Sequence, residues 1–174
     1  GKLRAKIFVY DNSAMPPDYE PIRKSILHEL YTTLLGRMRD EYSELPIQFH
    51  HSSVEDEEKV ATLVAQKQGR LQKQDLDAIA GNSDIVFAFE ATHFYDASWT
   101  NEPHLYRVTG TLLDAKDGSI LKVCSPTYGS SGLATADRPN EKIHDYKFNQ
   151  FSVFPDVGTM KDICTDIKDK KKVK

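Results

Sequence analysis

The sequence predicts one α/β domain built on a mixed sheet, in which strand, helix, strand and helix are followed by a three-stranded antiparallel meander. Apolar residues between positions 22 and 38 recur at the spacing of one helix face. Three consecutive segments after position 83 are rich in β-branched and aromatic residues, as strands are. A chain of 174 residues that is 39% hydrophobic can bury one ordinary core. We therefore expect helices packed on the sheet of a single folded unit.

The first two elements are a strand and a long helix. Residues 5–10 read AKIFVY, a strand pattern, and turn-forming residues follow them. Asp18 is suited to the N-cap of the next helix, and Pro21 to its first turn. The apolar stripe of this helix consists of Ile22, Ile26, Leu30, Leu34 and Met38. This stripe predicts a helix of about five turns with one buried face.

A short strand and a second helix come next. Pro46 precedes the segment IQFHH, in which Ile47 and Phe49 share one side of a strand. The pairs 52–53 (Ser-Ser) and 55–56 (Glu-Asp) then stand at the spacing of a capping box. The apolar stripe that follows predicts a helix as far as Gly69.

A short third helix is predicted over residues 75–80. Gly81 and Asn82 follow it, and both residue types adopt the left-handed conformation that ends helices.

The meander consists of three predicted strands, Asp84–Phe94, Leu105–Leu113 and Ser119–Val123. Asp117-Gly118 closes the turn between the last two strands, because Asp-Gly is a strong hairpin signal. Apolar residues on both alternating faces of the first strand predict that both its faces are covered. The middle strand alternates more clearly, so we expect one of its faces to lie on the core and the other to be wetter.

Residues 1–125 suffice for this α/β unit, and residues 126–174 are predicted to form a loop-rich extension that packs on the same domain. The segment after Pro126 is rich in Gly, Ser and Thr, which favours a loop. A short helix is expected from Met160. The last fourteen residues hold six Lys and three Asp, and we expect a frayed, solvated basic tail. A basic arm that docks on an anionic surface is the alternative.

Several function classes find no support in the sequence. The longest apolar run, Ile85–Phe89, is far shorter than the about 20 residues that span a bilayer. A net charge of −3 supplies no broad basic excess for nucleic acid. The segment Gly129–Gly132 lacks the strand-turn-helix context of a nucleophile elbow and the Lys-Ser/Thr ending of a phosphate loop. We predict no catalytic residue and no cofactor.

Histidines supply the only metal candidates, and they are weak. His50 and His51 precede Glu55 and Asp56, but adjacent strand residues point to opposite faces and do not share one ion. His93 and His104 flank the long hairpin loop and could face each other across the strands, although two exposed strand-end histidines are the simpler interpretation. We predict no metal site. A small metal-dependent hydrolase using His50 or His93, and a ligand-binding module with a groove at the ends of the first two strands, remain alternatives.

The hairpin between the first two meander strands carries the strongest surface signal. It holds Phe94, Tyr95, Tyr106 and Trp99, the only tryptophan of the chain. Large aromatics on a loop either fold back on the body or meet a partner, and Trp and Tyr dominate the energetics of interfaces. We predict a partner-binding surface here, with a self-packed loop as the alternative.

The two cysteines, Cys124 and Cys164, match no zinc or redox spacing. They are candidates for a disulfide in an oxidising compartment, and two unrelated buried thiols are the alternative.

Three stretches resemble a known family of envelope domains. They are Lys6–Asn12, Gly81–Glu90 and the hairpin Leu112–Leu121. Together with the order of the elements, they resemble the α/β domain shared by the TolB amino-terminal domain, the periplasmic domain of the curli secretion channel CsgG, the penicillin-binding-protein activator LpoB and the exopolysaccharide lipoprotein PelC. The resemblance covers residues 5–125.

The resemblance implies a non-catalytic bacterial accessory protein that is periplasmic and associated with the outer membrane. Such proteins are often anchored by a lipid on an upstream cysteine, and they act by contact in secretion, export or cell-wall machinery. The implied partner is an envelope protein or a second copy of the chain. A periplasmic location would also permit a Cys124–Cys164 disulfide.

Overall fold

The computed structural model describes residues 1–11, 20–50, 59–60, 62–63, 66–67, 72–95, 104–130 and 153–172. The elements are β1 (Leu3–Asp11), α1 (Glu20–Glu41), β2 (Ile47–His50), α2 (Lys73–Ala80), β3 (Ile85–Tyr95), β4 (His104–Asp114), β5 (Ile120–Ser130) and α3 (Val157–Lys172). The described residues among 59–67 are helical as well, within the segment predicted as the second helix.

The five strands form one mixed sheet in the order β2-β1-β3-β4-β5. β1 pairs in parallel with β2 and β3, whereas β3, β4 and β5 pair in antiparallel fashion. The α/β class and the three-stranded meander predicted from the sequence are therefore confirmed. β1 lies in the interior of the sheet, because β2 pairs with one of its sides and β3 with the other.

The main core lies between one face of the sheet and helices α1 and α3. Leu30, Leu34 and Met38 of α1 are fully buried there, as the predicted stripe required. Tyr42, just beyond α1, stacks on Phe49 and Phe87 with ring centroids 6.4 Å apart in each case. This face is called the main face below.

A smaller core covers the opposite face of the sheet, called the second face below. Its buried residues are Phe8, Val60, Ile79, Ala80, Val86, Ala88, Leu113 and Ala115. β3 contributes alternate residues to both cores, so both of its faces are covered as predicted.

Two turns have the backbone geometry that their glycines predict. Gly118 has a φ of 74°, and its N–H donates to the Asp114 carbonyl at 2.8 Å to close the β4–β5 turn. Gly81, after α2, has a φ of 59°. Both angles lie in the region that residues with a Cβ rarely adopt.

Two expectations for the C-terminal part are wrong. β5 continues through Pro126 to Ser130, where the composition favoured a loop. The lysine-rich end is not frayed over residues 161–172, because α3 extends to Lys172 and buries Met160, Cys164 and Ile167 in the main core. Burial of one apolar stripe outweighs the high charge of the other side of this helix.

Gly110 of β4 lets the chain before α3 cross the sheet. A Cβ at position 110 would overlap the carbonyl oxygen of Val153 and crowd the ring of Phe89. Val153 and Phe154 are buried in the main core, and the Tyr42 hydroxyl donates to the Pro155 carbonyl. A glycine inside a strand is here the mark of a close backbone approach.

Candidate functional site

The sheet extends past its parallel half as a hairpin arm, which we define as residues 92–95 and 104–107. β1 ends at Asp11, whose partner is Ala91, and β3 continues for four residues to Tyr95. β4 returns from His104 in register with β3. Residues 128–130 of β5 pair with residues 105–107 of β4. Three antiparallel strands thus project beyond the end of β1.

Three of the four residues predicted to bind a partner lie on the strands of the arm. Phe94 pairs with Leu105, Tyr95 with His104, and Tyr106 with His93 along the backbone. Trp99 lies outside the described residues, between the two strands of the arm in sequence. A contact of Phe94, Tyr95, Trp99 and Tyr106 with a partner stays a prediction.

The β5 strand forms one edge of the sheet and carries exposed apolar side chains. Ile120 is 64% exposed and Val123 is 55% exposed, and with Val157 they are the exposed large hydrophobic residues of the described chain. Irregularities interrupt the β4–β5 register between Val108 and Gly110 and between Leu112 and Leu113. Bulges of this kind twist an edge and limit its pairing with other strands.

An ion-pair cluster lies at the other end of β3 and β4, and the sequence did not reveal it. Asp84 and Asp114 are 5% and 4% exposed. The Lys171 ammonium lies 2.5 Å from Asp84 Oδ1, and the Lys170 ammonium lies 3.5 Å from Asp114 Oδ2. The lysines predicted to belong to a solvated tail therefore neutralise two buried carboxylates. The only sequence signal was a charged residue beside each strand end, which is common in turns.

The Asp84 carboxylate is held in its charged form. Burial alone would raise its pKa, but the Arg4 backbone N–H donates to Oδ2 at 2.8 Å and the Lys171 ammonium faces Oδ1. These two contacts outweigh burial, and the pKa of Asp84 lies below its ordinary value. The Asp114 carboxylate also accepts the Lys116 backbone N–H at 2.9 Å.

Both thiols are free and buried, and Cys164 belongs to the main core. Burial raises the pKa of Cys124 and raises that of Cys164 to about 11. Burial also raises the pKa of Tyr42, with smaller contributions from Cys124 and Cys164. The pairing of Cys124 with Cys164 stays a prediction.

Two of the histidines predicted as weak metal candidates, His93 and His104, lie on the paired strands of the arm. Within the described ranges no group of three or more His, Cys, Asp or Glu side chains could hold a metal ion. His93 pairs with Tyr106 and His104 with Tyr95, so the two histidines are not directly opposite each other. His51, Glu55 and Asp56 lie outside the described residues.

His50 lies on the second face beside two cations. Its register partner is Lys6, and Arg4 is two residues earlier on β1. Burial, followed by the charges of Arg4 and Lys6, lowers the pKa of His50. The Nε2 atom of His50 is buried and makes no hydrogen bond with the described residues.

A polar pair lies on the second face near the end of β1. A ligand groove at this end of the sheet was one of the alternatives predicted from the sequence. The Tyr10 hydroxyl donates to Glu90 Oε2 at 3.4 Å across the β1–β3 pair. Burial and the Glu90 charge raise the pKa of Tyr10, so the phenol stays protonated. The residues that follow β1 and β2 in sequence lie outside the described ranges.

In the part of the chain that the structure describes, no helix has the length and apolar character needed to cross a membrane.

Comparisons with known proteins show weak structural similarities only. No known protein family matches the sequence, and no curated protein is significantly similar to it. Lipoprotein GNA1162 from Neisseria meningitidis is similar with a TM-score of 0.42 and 13% identity over 78% of this chain and 88% of that chain.

Two further solved structures are similar at the same level. The hypothetical protein CT253 from Chlamydia trachomatis has a TM-score of 0.42 and 11% identity, over 98% of this chain and 95% of that chain. The LpoB C-terminal domain from Salmonella enterica has a TM-score of 0.38 and 13% identity, over 72% of this chain and 81% of that chain. Of these three structures, one is a bacterial lipoprotein and one is the C-terminal domain of LpoB.

Proposed function

We propose that this chain is a non-catalytic accessory domain of the bacterial cell envelope that acts by binding another protein. The observation that carries the proposal is the hairpin arm, which extends four residues beyond the partner of the last β1 residue. The sequence places Trp99 between the two strands of the arm, and Trp is a typical interface anchor.

The aromatic content of the arm supports protein contact rather than a purely structural hairpin. Phe94, Tyr95 and Tyr106 lie on the two paired strands of the arm, and Trp99 lies between these strands in the sequence. Four aromatic residues stand within thirteen positions of the sequence, and large aromatic side chains are costly to leave in water. We infer that a partner protein covers them, and a second copy of the chain is an equally suitable partner in chemical terms.

The envelope assignment rests on the family resemblance of residues 5–125. It leads us to propose a periplasmic protein associated with the outer membrane through a lipid anchor upstream of Gly1. The proposed setting is a secretion, export or cell-wall machine, in which the domain has a docking role.

The test is truncation of the aromatic anchor. Trp99→Ala, alone and together with Tyr95→Ala, should weaken self-association or partner capture at least tenfold, because the proposed contact loses its aromatic anchors. The melting temperature should stay within a few degrees of the wild-type value. Sedimentation velocity over a concentration series measures self-association, and pull-down from the envelope fraction of the producing cells measures partner capture.

The control variant is Val157→Ala, which removes an exposed apolar side chain at the start of α3, away from the arm. It should leave both measurements unchanged. Wild-type behaviour of the Trp99 and Tyr95 variants in both assays would remove the arm as the contact surface. Recovery of the full reading frame in the cytosolic fraction would overturn the envelope assignment separately.

A further inference from the structure

The end of α3 is held on the sheet by a pair of ionic contacts. Asp84, before β3, and Asp114, at the end of β4, are adjacent, because the Ala115 N–H donates to the Asp84 carbonyl at 3.0 Å. Lys171 and Lys170 reach these two carboxylates from the last turn of α3. The last turn of α3 thus contacts the sheet where β3 begins and β4 ends.

The two sides of these contacts differ in burial. The side chains of Asp84 and Asp114 are each 6% exposed, whereas those of Lys171 and Lys170 are 49% and 57% exposed. Release would return the lysines to water at small cost. It would leave two adjacent carboxylates buried and unpaired, and an uncompensated buried charge is strongly unfavourable. The charge of the carboxylates therefore determines how firmly the turn is held.

The rest of α3 is held in a different way. Asp156 caps its first turn by accepting the Thr159 N–H at 2.8 Å, and Met160, Cys164 and Ile167 are buried in the main core. Beyond Ile167, no residue of α3 up to Lys172 is buried. The helix thus has an apolar part, which ends at Ile167, and an ionic last turn.

We propose that residues 168–172 form a latch that opens when the lysine–carboxylate pairs are broken, while the apolar part of α3 stays docked. Opening removes the two lysine charges from the Asp84–Asp114 pair, so this end of the sheet carries two carboxylates that α3 no longer neutralises. The latch goes beyond the proposed function and does not depend on it.

The contacts of the Asp84–Asp114 pair come from β1, the β4–β5 turn and α3. Asp84 accepts the Arg4 backbone N–H, Asp114 accepts the Lys116 backbone N–H, and the two carboxylates face the ammonium groups of Lys171 and Lys170. In the described part of the chain, Lys170 and Lys171 are the residues of α3 that form ion pairs with these carboxylates.

Hydrogen exchange by mass spectrometry tests the latch. Lys170→Gln with Lys171→Gln should raise the exchange rate of the amides of residues 168–172 at least tenfold, and leave those of residues 160–164 unchanged. Lys2→Gln with Lys59→Gln is the matched control, since it removes the same charge from exposed positions outside α3. Lys170→Gln alone keeps the Asp84 pair and serves if the double variant does not fold.

Two results would overturn the proposal. Equal exchange in the double variant and its control would mean that the ion pairs do not hold the turn. Joint loss of protection at residues 160–164 and 168–172 would mean that α3 opens as one unit. Lys171→Arg, which keeps the charge, should restore most of the protection lost in Lys171→Gln.

Discussion

Gly110 determines where the chain before α3 crosses the sheet. The Val153 carbonyl occupies the space that any side chain at position 110 would need, and the Phe89 ring lies beside it. Backbone atoms cannot move aside as a flexible side chain can. The strand must therefore carry glycine here for Val153 and Phe154 to reach the main core.

Replacement of Gly110 by Ala should destabilise the protein by about 3 kcal/mol, because the added methyl group forces the Val153 segment away from the sheet. Gly36→Ala is the control. Nothing lies within 4 Å of a Cβ at position 36 in α1, so this change should stabilise the helix by up to about 1 kcal/mol. Urea unfolding of the two variants measures both values. Equal stability of Gly110→Ala and wild type would show that the crossing is not tight.

Two buried polar residues, Ser83 and Asp84, lie at the amino end of β3. Asp84 looks like a turn residue in the sequence, yet it accepts a backbone N–H from β1 and an ammonium from α3. Its neighbour Ser83 is 1% exposed, and its hydroxyl has no hydrogen-bond partner in the described structure. Their roles depend on elements that are about 80 residues away in sequence.

At the scale of elements, α3 and β5 carry the two thiols. Cys164 lies on the buried stripe of α3 and Cys124 on the strand at the sheet edge. A disulfide between them would tie the last helix to the edge strand, as the sequence allowed. The structure has both thiols free, with their pKa values raised by burial.

We expect Cys164 to be inert toward thiol reagents in the folded protein at pH 7. A pKa of about 11 leaves a thiolate fraction of about 10⁻⁴, and the thiolate is the reactive form. Titration with an aromatic disulfide should detect two thiols only after unfolding. Rapid reaction of the native protein would contradict the burial of this stripe, and absence of thiols in the unfolded, unreduced protein would demonstrate the disulfide.

The edge strand β5 has features that favour association with another chain and features that limit it. Its exposed Ile120 and Val123 and its free edge favour association, whereas the register irregularities and the exposed Lys122 limit it. The hairpin arm, by contrast, places its aromatic residues beyond the parallel strands. For this reason we assign partner contact to the arm and not to the edge.

At the scale of the whole molecule, acid lowers the free energy of unfolding through two groups, His50 and Asp84. The folded-state pKa of His50 is lowered below 6.5, so the unfolded chain takes up a proton first as the pH falls below that value. The pKa of Asp84 is lowered below 3.8, so its contribution is present above that value and is lost as the pH falls through its folded-state pKa. Both groups make the folded protein less stable in acid.

Stability should therefore decline in two steps, one below about pH 6.5 and one below about pH 4. His50→Gln should remove the first step and leave the second. His28→Gln is the control, because His28 is exposed on α1 and should leave both steps in place. Urea midpoints between pH 3 and pH 8 provide the measurement. A first step of unchanged size in His50→Gln would show that another group causes it.

The sequence alone determined the class of the fold, the three-stranded meander and the α1 stripe, because hydrophobic periodicity and turn residues act over a few neighbouring positions. It also indicated the arm, whose aromatic residues stand close together in the chain. The Asp117-Gly118 turn was predictable for the same local reason.

Only the tertiary structure decided what becomes of the C-terminal part. β5 continues through a Gly/Ser-rich segment because β4 offers it a ladder of backbone partners. The lysine-rich end is helical because the main core buries its apolar stripe, and because Asp84 and Asp114 receive its last turn. These contacts join residues far apart in the chain, and neither periodicity nor composition encodes which distant carboxylate a lysine will meet.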